Sequence, residues 1–400
     1  MRAARPIQVL TISSVAVFLL LGVLQCGAQV PASDHVVLLV AENHSYSQVV
    51  GNTAAMPYLN SLINTYGLAT NYDANSHYSI PNYFWLTTGT YVTLNDGSTS
   101  VFNVDNVTRY LMSAGKTWKA YEESIPSVGY TGPTVEPYER NHDPFVYLSD
   151  VVNSSAKMNI VPFTQFAMDI ANNQLPNFSF ITPNSKHDGH TANLAAMDQW
   201  LKTSLAPLFA SPAFQPGSNG LLIITFDESL DADCLPLPVC PKLPENGGGG
   251  HVATMLIGPN VLSGKQSATF YQHPSVLKTA LLALGIAGAP GAAQSAPAML
   301  DFFSSVTAAS TCTASGLNLT MTMCAPSTGQ ALTSPVHVMA IANSTTPVQY
   351  SQVYVDGVKQ YQVTGATVDT HMAMTPGSHR VTVQANNGTL FKSTLYITVQ

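Results

Sequence analysis

The stretch His35-Val-Val-Leu-Leu-Val-Ala-Glu-Asn-His44 is a continuous run of apolar residues that ends abruptly in polar ones. An apolar run without alternation is typical of a strand that is buried on both faces of a sheet. Similar apolar runs occupy residues 178–182, 221–226 and 252–257. Helical patterns lie between and after the runs, at residues 56–66, 81–87, 107–114, 194–209 and 274–284. Strands that alternate with helices predict an α/β fold, in which a mainly parallel sheet carries helices on both faces.

The composition indicates a globular protein of 400 residues, which is long enough for two domains. Hydrophobic residues make up 46% of the chain and charged residues only 9%, so a substantial core is expected. The formal net charge is −7. Because nucleic-acid binding requires a basic surface, this acidic balance argues against a nucleic-acid partner.

The N-terminal segment predicts export. Two arginines precede an apolar run from Ile7 to Leu24, and the small residue Ala28 follows it. This order is typical of a secretory signal peptide, here residues 1–28, and predicts a secreted or periplasmic protein. Cys26 raises the alternative of a lipoprotein, which Gln25 disfavours, and the length of the apolar run raises that of a retained membrane anchor.

The four cysteines beyond the signal segment fall into two local pairs. Cys234 lies close to Cys240, and Cys312 lies close to Cys324. An even number of cysteines at short spacing in an exported protein predicts disulfides, so each pair is expected to close a small loop.

The sequence changes character beyond residue 303. Residues 304–333 are rich in Ser, Thr and Ala and predict a linker. Residues 334–400 contain alternating strand patterns with hairpin signals, which predict an all-β sandwich of the immunoglobulin-like kind. This segment carries no cluster of ionisable residues, so all chemistry is assigned to residues 29–303. The sandwich would serve contact with a cell surface or a polymer.

A second stretch, His77-Tyr-Ser-Ile-Pro-Asn-Tyr83, places Ser79 shortly before Pro81. Proline is favoured at the first position of a helix, so Ser79 is expected at or just before a helix N-terminus. The free N–H groups and the dipole there favour an anion. Two interpretations follow: Ser79 is an ordinary cap, or it is a nucleophile whose attached phosphate the helix end stabilises.

Acidic residues follow two of the predicted strands. Glu42 and Asn43 come after the first strand, and Asp227 and Glu228 come after the run at 221–226. Ligands of parallel sheets bind outside the carboxyl ends of the strands, so these side chains are expected near one another. Carboxylate and amide oxygens suit a hard cation, which would lower the pKa of a coordinated serine hydroxyl.

The chain resembles the phosphoesterase family, which includes bacterial acid phosphatases and non-specific phospholipases C and belongs to the alkaline phosphatase superfamily. The resemblance covers residues 35–285 and predicts a phosphoesterase catalytic domain. It rests on an ordered set of motifs: Glu42-Asn43-His44-Ser45, His77-x-Ser79-x-Pro81-Asn82-Tyr83, Trp118 to Glu123, His142-Asp143-Pro144-Phe145, Phe180 to His190, Thr225-Phe226-Asp227-Glu228, Gly258-Pro259 and Tyr271-x-His273-x-Ser275.

The resemblance implies specific roles for the motif residues. Ser79 would be the nucleophile of a phosphoserine intermediate, with Asp188 and His190 as further catalytic residues. Asn43, His142, His187 and His251 would contact the substrate. One metal ion would be bound by Glu42, Asn43, Ser79, Asp227 and Glu228.

The ligand types indicate which metal is expected. Five oxygen donors favour Mg²⁺, Mn²⁺ or Ca²⁺ over Zn²⁺. The alternative is a binuclear zinc site, to which Asp188, His190 and His251 would contribute as in two-metal members of the superfamily.

Three functions compete. A phosphomonoesterase of the acid phosphatase type is favoured, because some phospholipase members carry Thr where this chain has Ser79 and contain long segments that this chain lacks. A phospholipase C-type phosphodiesterase is the second alternative. The third is an inactive surface-binding protein, which the presence of every candidate ligand disfavours. The expected substrate is a small phosphate ester or a phospholipid.

Overall fold

The computed structural model describes residues 30–190, 193–230, 248–303, 312, 314, 316–328, 331, 332, 334 and 336–400. An eight-stranded sheet with the order β4-β3-β5-β1-β6-β7-β2-β8 organises the larger domain. Its strands are β1 Val36–Ala41, β2 Gly67–Ala69, β3 Trp118–Glu122, β4 Ile160–Pro162, β5 Phe178–Thr182, β6 Leu221–Phe226, β7 Thr254–Ile257 and β8 Gln266–Ser267.

The apolar run at the start of the chain forms the centre of this sheet. Every residue of β1 is buried, and β1 pairs in parallel with β5 on one side and with β6 on the other. Because both faces of β1 are buried, the run shows no alternation of apolar and polar residues. The parallel pairing continues through β3 and β4, whereas β7 runs antiparallel to both β6 and β2. The prediction of a mainly parallel sheet is confirmed.

Helices cover the sheet in two groups. One group contains α7 packed against α2 and α6, and the other contains α3 packed against α8. The helices are α1 Tyr46–Val49, α2 Pro57–Thr65, α3 Ser79–Thr88, α4 Val107–Ser113, α5 Ser149–Val152, α6 Thr164–Ala171, α7 Leu194–Ala210 and α8 His273–Ala283. The five predicted helices are present. The sequence patterns did not reveal β2, β3, β4 and α6, since these elements are short or carry polar residues.

The C-terminal domain is a β-sandwich with a hydrophobic core of its own. Its sheets have the orders β10-β16-β15-β12-β13 and β14-β11-β9, and Val338, Val353 and Val381 belong to the shared core. The strands are β9 Thr320–Ala325, β10 Ala331–Leu332, β11 Val336–Asn343, β12 Tyr350–Val355, β13 Val358–Thr364, β14 Thr367–Met372, β15 Gly377–Asn386 and β16 Leu390–Val399.

The sandwich begins earlier than predicted. Strands β9 and β10 lie within residues 304–333, which the composition had assigned to a linker, and β9 pairs antiparallel with β11. Thr-rich sequence resembles a linker by composition, but Thr is β-branched and suits a strand. The disulfide between Cys312 and Cys324 is present and ties the segment to β9. The linker prediction is therefore wrong for residues 320–325 and 331–332.

Two predictions lie outside the described residues, namely the signal peptide at 1–28 and the disulfide between Cys234 and Cys240. Among the helices that are described, none combines the length and the apolar composition that a membrane crossing requires.

Candidate active site

The polar residues after β1 and β6 lie side by side because the two strands pair in register, with Ala41 opposite Phe226. The backbone N–H of Asn43 donates to Oδ1 of Asp227 at 3.0 Å, and Nδ2 of Asn43 donates to Oε1 of Glu228 at 3.1 Å. Asn43 has a φ of 40°, a left-handed conformation that asparagine adopts more readily than most residues. This turn aims its side chain at Glu228.

Ser79 reaches the same cluster from the first position of α3. Its Oγ lies 2.9 Å from Oε2 of Glu42, 3.3 Å from Oε1 of Glu228 and 3.4 Å from Oδ1 of Asn43. A hydroxyl carries only one proton, so it donates to one of these three oxygens at a time. The three oxygens converge on this one hydroxyl, and Nδ2 of Asn43 supplies one further proton, to Oε1 of Glu228. More lone pairs than protons meet here, which is an arrangement that suits a cation.

The cluster concentrates negative charge away from water. The carboxyl groups of Glu42, Asp227 and Glu228 are buried. Burial raises the pKa of Glu42 well above its usual value, and repulsion by Asp227 and Asp188 adds to the effect. Burial also raises the pKa of Asp227, with repulsion by Glu228 as the second cause. A divalent cation would remove this repulsion.

The donor set fits the predicted metal ion. Oδ2 of Asp227 is buried and makes no hydrogen bond, so it could serve as a ligand. Within the described part of the chain, no three or more His, Cys, Asp and Glu side chains are arranged to hold a metal by themselves. Binding here therefore depends on the oxygens of Ser79 and Asn43 as well, and an all-oxygen set favours Mg²⁺, Mn²⁺ or Ca²⁺.

Two aromatic side chains support Glu42. The hydroxyl of Tyr83 donates to Oε1 of Glu42 at 2.5 Å, which leaves Oε2 directed at Ser79. The Tyr83 ring stacks on His142, with 5.3 Å between the ring centroids and 10° between their planes. Burial lowers the pKa of His142 to about 3, so its imidazole is neutral.

A cavity of about 310 Å³ opens above Ser79. Asp188 in its wall is buried; its Oδ1 accepts from the N–H of His190 at 2.9 Å, and its Oδ2 makes no hydrogen bond. Burial is the main cause that raises the pKa of Asp188 to about 7. The cavity is lined by Asn43, Tyr78, Ser79, Asp96, Glu139, Asn141, His142, Ser185, Asp188, His190 and Glu228.

Two predicted substrate-binding histidines do not line this cavity. Nδ1 of His187 lies 2.9 Å from Oε1 of Glu123, and its ring stacks on Trp200. His251 stacks on Tyr46, with 4.2 Å between the ring centroids. These contacts hold both rings elsewhere, so the geometry gives no support to their role in substrate binding or to a second metal site that includes His251.

Five residues of the cavity wall were not predicted: Tyr78, Asp96, Glu139, Asn141 and Ser185. Tyr78, Asn141 and Ser185 are neighbours of motif residues, and this proximity was the available signal. Asp96 and Glu139 belong to separate loops and had no signal. His77 was also missed, although it lies in the Ser79 motif: its Nδ1 contacts Oε2 of Glu228.

Asp96 occupies part of the N-terminus of α3, where a phosphate was expected. Its Oδ1 accepts a hydrogen bond from the N–H of Ile80 at 2.9 Å. One of the N–H groups expected to receive a phosphate is therefore already occupied by a carboxylate. The side chain fixes the start of α3, and with it the position of Ser79.

His273 fixes the loop after β6. Its Nε2 lies 2.7 Å from the main-chain oxygen of Asp227, and its Nδ1 lies 2.8 Å from the hydroxyl of Tyr72. Burial lowers the pKa of His273 to about 4. The residue is fully buried, as expected of a packing residue, and it holds Asp227 in place.

Comparison with known proteins identifies a sequence family and several relatives. The sequence profile of the Phosphoesterase family matches residues 52–282. A phosphatidylinositol-3-phosphatase from Mycobacterium tuberculosis is 30% identical over 275 residues, which cover 68% of this chain and 84% of that protein. A probable acid phosphatase from Kluyveromyces lactis is 31% identical over 254 residues, covering 60% of this chain and 55% of that protein.

Two further likenesses have lower sequence identity. Phospholipase C B from Mycobacterium tuberculosis is 24% identical over 203 residues, which cover 44% of this chain and 38% of that protein. Among solved structures, a protein in the alkaline phosphatase superfamily from Vibrio parahaemolyticus is 14% identical with a TM-score of 0.44, covering 65% of this chain and 69% of that one.

Proposed function

This chain belongs to the phosphoesterase family, and from this premise we propose that it is an exported, metal-dependent hydrolase of small phosphoric esters, chiefly monoesters. The observation that carries the proposal is the position of Ser79. Its Oγ lies at the base of the cavity, at the N-terminus of a helix, against the oxygens of Glu42, Asn43 and Glu228. Relatives described as acid phosphatases support the reaction class.

One divalent ion would be held by Glu42, Asn43, Ser79, Asp227 and Glu228. When bound, such an ion lowers the pKa of the serine hydroxyl and neutralises charge on the phosphoryl oxygens. The buried orphan oxygen of Asp227 and the three oxygens that face Ser79 support this ligand set.

The reaction would proceed in two displacements. Oγ of Ser79 gives up its proton and attacks phosphorus, the bond to the ester oxygen breaks, and the departing alkoxide takes up one proton from the solvent to leave as the alcohol. The Oγ proton faces Oε2 of Glu42, its nearest acceptor. Water then attacks the phosphoserine, which releases inorganic phosphate and restores the serine. The side chains of His142, Asp188 and His190 lie where they would orient the phosphoryl group.

The size of the cavity favours a small ester over a diester with two large substituents. Ligand sites commonly measure about 300–1,000 Å³, and a cavity of about 310 Å³ lies at the lower end of this range. Phospholipase C-type cleavage remains the second candidate because of the likeness to phospholipase C B. An inactive surface-binding protein is disfavoured, since three of the other proposed ligands face the Ser79 hydroxyl and the fourth, Asp227, accepts from the Asn43 N–H.

The decisive experiment compares Ser79→Ala with Ser275→Ala, a second buried serine, on α8. Turnover of a small aryl phosphate should fall at least about a thousandfold in Ser79→Ala and remain normal in Ser275→Ala. Acid quenching during turnover should trap phosphate on the unaltered protein and not on Ser79→Ala. Near-normal turnover of a folded Ser79→Ala protein would reject the nucleophile.

The metal is tested on the same protein. Treatment with a chelator should abolish turnover, and addition of Mg²⁺, Mn²⁺ or Ca²⁺ should restore it. Elemental analysis of protein purified without chelator should find one ion per chain. Two tightly bound zinc ions would show that the single-site reading is wrong.

A further inference from the structure

The cavity above Ser79 has a part of its wall that holds neither the proposed nucleophile, nor the proposed metal ligands, nor the residues that would orient the phosphoryl group. We define the rim as Tyr78, Asp96 and Glu139, which line the cavity together with the catalytic residues. The rim comes from the residue before Ser79 and from two separate loops. A substrate whose phosphoryl group contacts Ser79 would place its alcohol portion against these residues or in the solvent beyond them.

The rim adds negative charge to a cavity that already has much of it. Four carboxylates line the cavity, from Asp96, Glu139, Asp188 and Glu228, and no Lys or Arg is among its described lining residues. Glu42 and Asp227, which lie behind the wall, add two further acidic groups. One divalent ion bound at the base would therefore neutralise only part of the total charge. An ester that brings further negative charge beyond its phosphoryl group would be repelled.

Two buried polar atoms at the phosphate end of the cavity, 3.9 Å apart, indicate that it takes a polar ligand. Oδ2 of Asp188 and Nδ1 of His142 are buried atoms without a hydrogen bond, and both residues line the cavity. Such atoms cost free energy unless a ligand satisfies them. The cavity is therefore built for an occupant, and the rim acts on that occupant.

The rim residues are held in place. Asp96 is fixed by the N–H of Ile80, one residue after the nucleophile, which keeps its carboxylate near the start of α3. Glu139 accepts from the hydroxyl of Thr134 at 3.4 Å. Tyr78 is 43% exposed and offers an aromatic surface in the wall of the same cavity as these two acids. A carboxylate pair with an aromatic ring attracts ammonium groups, by charge and by cation–π contact.

Building on the proposed function, we propose that the rim selects phosphomonoesters whose alcohol portion carries a positive charge, such as an ammonium group. Asp96 and Glu139 are the specificity-determining residues, and Tyr78 provides the surface. A cationic alcohol offsets the charge of the cavity as the phosphate enters, whereas a neutral alcohol offers no compensation. Esters with extra anionic groups are the poorest substrates.

Three aryl phosphates of similar shape test this inference: 4-(trimethylammonio)phenyl, 4-tert-butylphenyl and 4-carboxyphenyl phosphate. The measured quantity is the ratio of kcat/KM for the cationic ester to that for the neutral ester. Asp96→Asn keeps an acceptor for the Ile80 N–H and removes the charge, and Glu139→Gln does the same in a different loop. Each substitution should lower the ratio about tenfold. Comparing variants cancels the intrinsic reactivity of the leaving groups.

The control is Asp34→Asn, which removes an equal charge at an exposed position of the same domain outside this cavity. Its ratio should equal that of the unaltered protein. An unchanged ratio in folded Glu139→Gln and Asp96→Asn proteins that still hydrolyse the neutral ester would overturn the inference and leave the proposed function intact. Failure of the unaltered protein to hydrolyse any of the three esters would reject both.

Discussion

Tyr83 shows how a single side chain outside the ligand set shapes the site. Its hydroxyl engages Oε1 of Glu42, so that Oε2 remains directed at Ser79. Residues that orient metal ligands commonly affect metal affinity or activity by about 10- to 100-fold. Tyr83→Phe should therefore raise the concentration of divalent ion needed for half-maximal turnover by about tenfold or more. The ring, and its stacking on His142, would remain.

Tyr147→Phe is the matched control for this prediction. Tyr147 is fully buried like Tyr83, but its hydroxyl makes no hydrogen bond. Its replacement should leave the metal requirement unchanged. If both variants need the same ion concentration as the unaltered protein, Tyr83 does not position Glu42.

At the scale of elements, a buried acidic pair joins the end of β3 to the segment before α5. Glu122 ends β3, and Asp143 precedes the turn at 144–147, where its Oδ1 accepts from the N–H of Phe145. Burial raises the pKa of Asp143 to about 7, and burial and repulsion by Asp143 raise that of Glu122. These acids therefore favour the folded state only while they remain protonated.

The consequence is a loss of stability with rising pH. The unfolded chain ionises Asp143 near 3.8, whereas the folded chain keeps the proton up to about 7. The free energy of unfolding should fall between these values, by up to about 4 kcal/mol from this residue. The free energy of unfolding is measured by urea titration at each pH, with tryptophan fluorescence as the signal. Trp85, Trp118 and Trp200 all lie in the α/β domain, so the signal reports on that domain.

Asp143→Asn should flatten this pH dependence between pH 5 and 7. Asp301→Asn is the control, since hydrogen bonds lower the pKa of Asp301 and confine its influence to more acidic solutions. An equally steep fall in Asp143→Asn and in the unaltered protein would contradict the assignment.

For the whole molecule, two separate cores predict separable functions. Phe302 and Phe303 belong to the core of the α/β domain, while the core of the sandwich draws on residues from Met321 onward. A chain that ends after Phe303 should fold and keep its turnover of small esters. Turnover and thermal melting of the shortened and full chains decide this. A folded but inactive shortened chain would place part of the site in the sandwich.

The central strands and the helix of Ser79 could be predicted from the sequence alone, and so could the meeting of the acidic residues after β1 and β6. A strand buried on both faces must be apolar throughout, and polar residues can follow only where it ends. The sequence therefore predicted β1 and β6, and also the positions of Glu42 and Asp227 at their ends. Composition failed at β9, because a Thr-rich strand and a linker look alike until the partner strand β11 is known.

Which residues line the cavity above Ser79 became visible only in the folded chain. His187 and His251 were assigned to the substrate together with His142. Glu123 and Trp200 nevertheless hold His187 away from the cavity wall, and Tyr46 holds His251 away from it. Conversely, Asp96 and Glu139 belong to no sequence motif that was recognised, and they reach the cavity from loops that are distant in sequence. The direction of a loop side chain depends on contacts made across the fold, and local sequence does not contain those contacts.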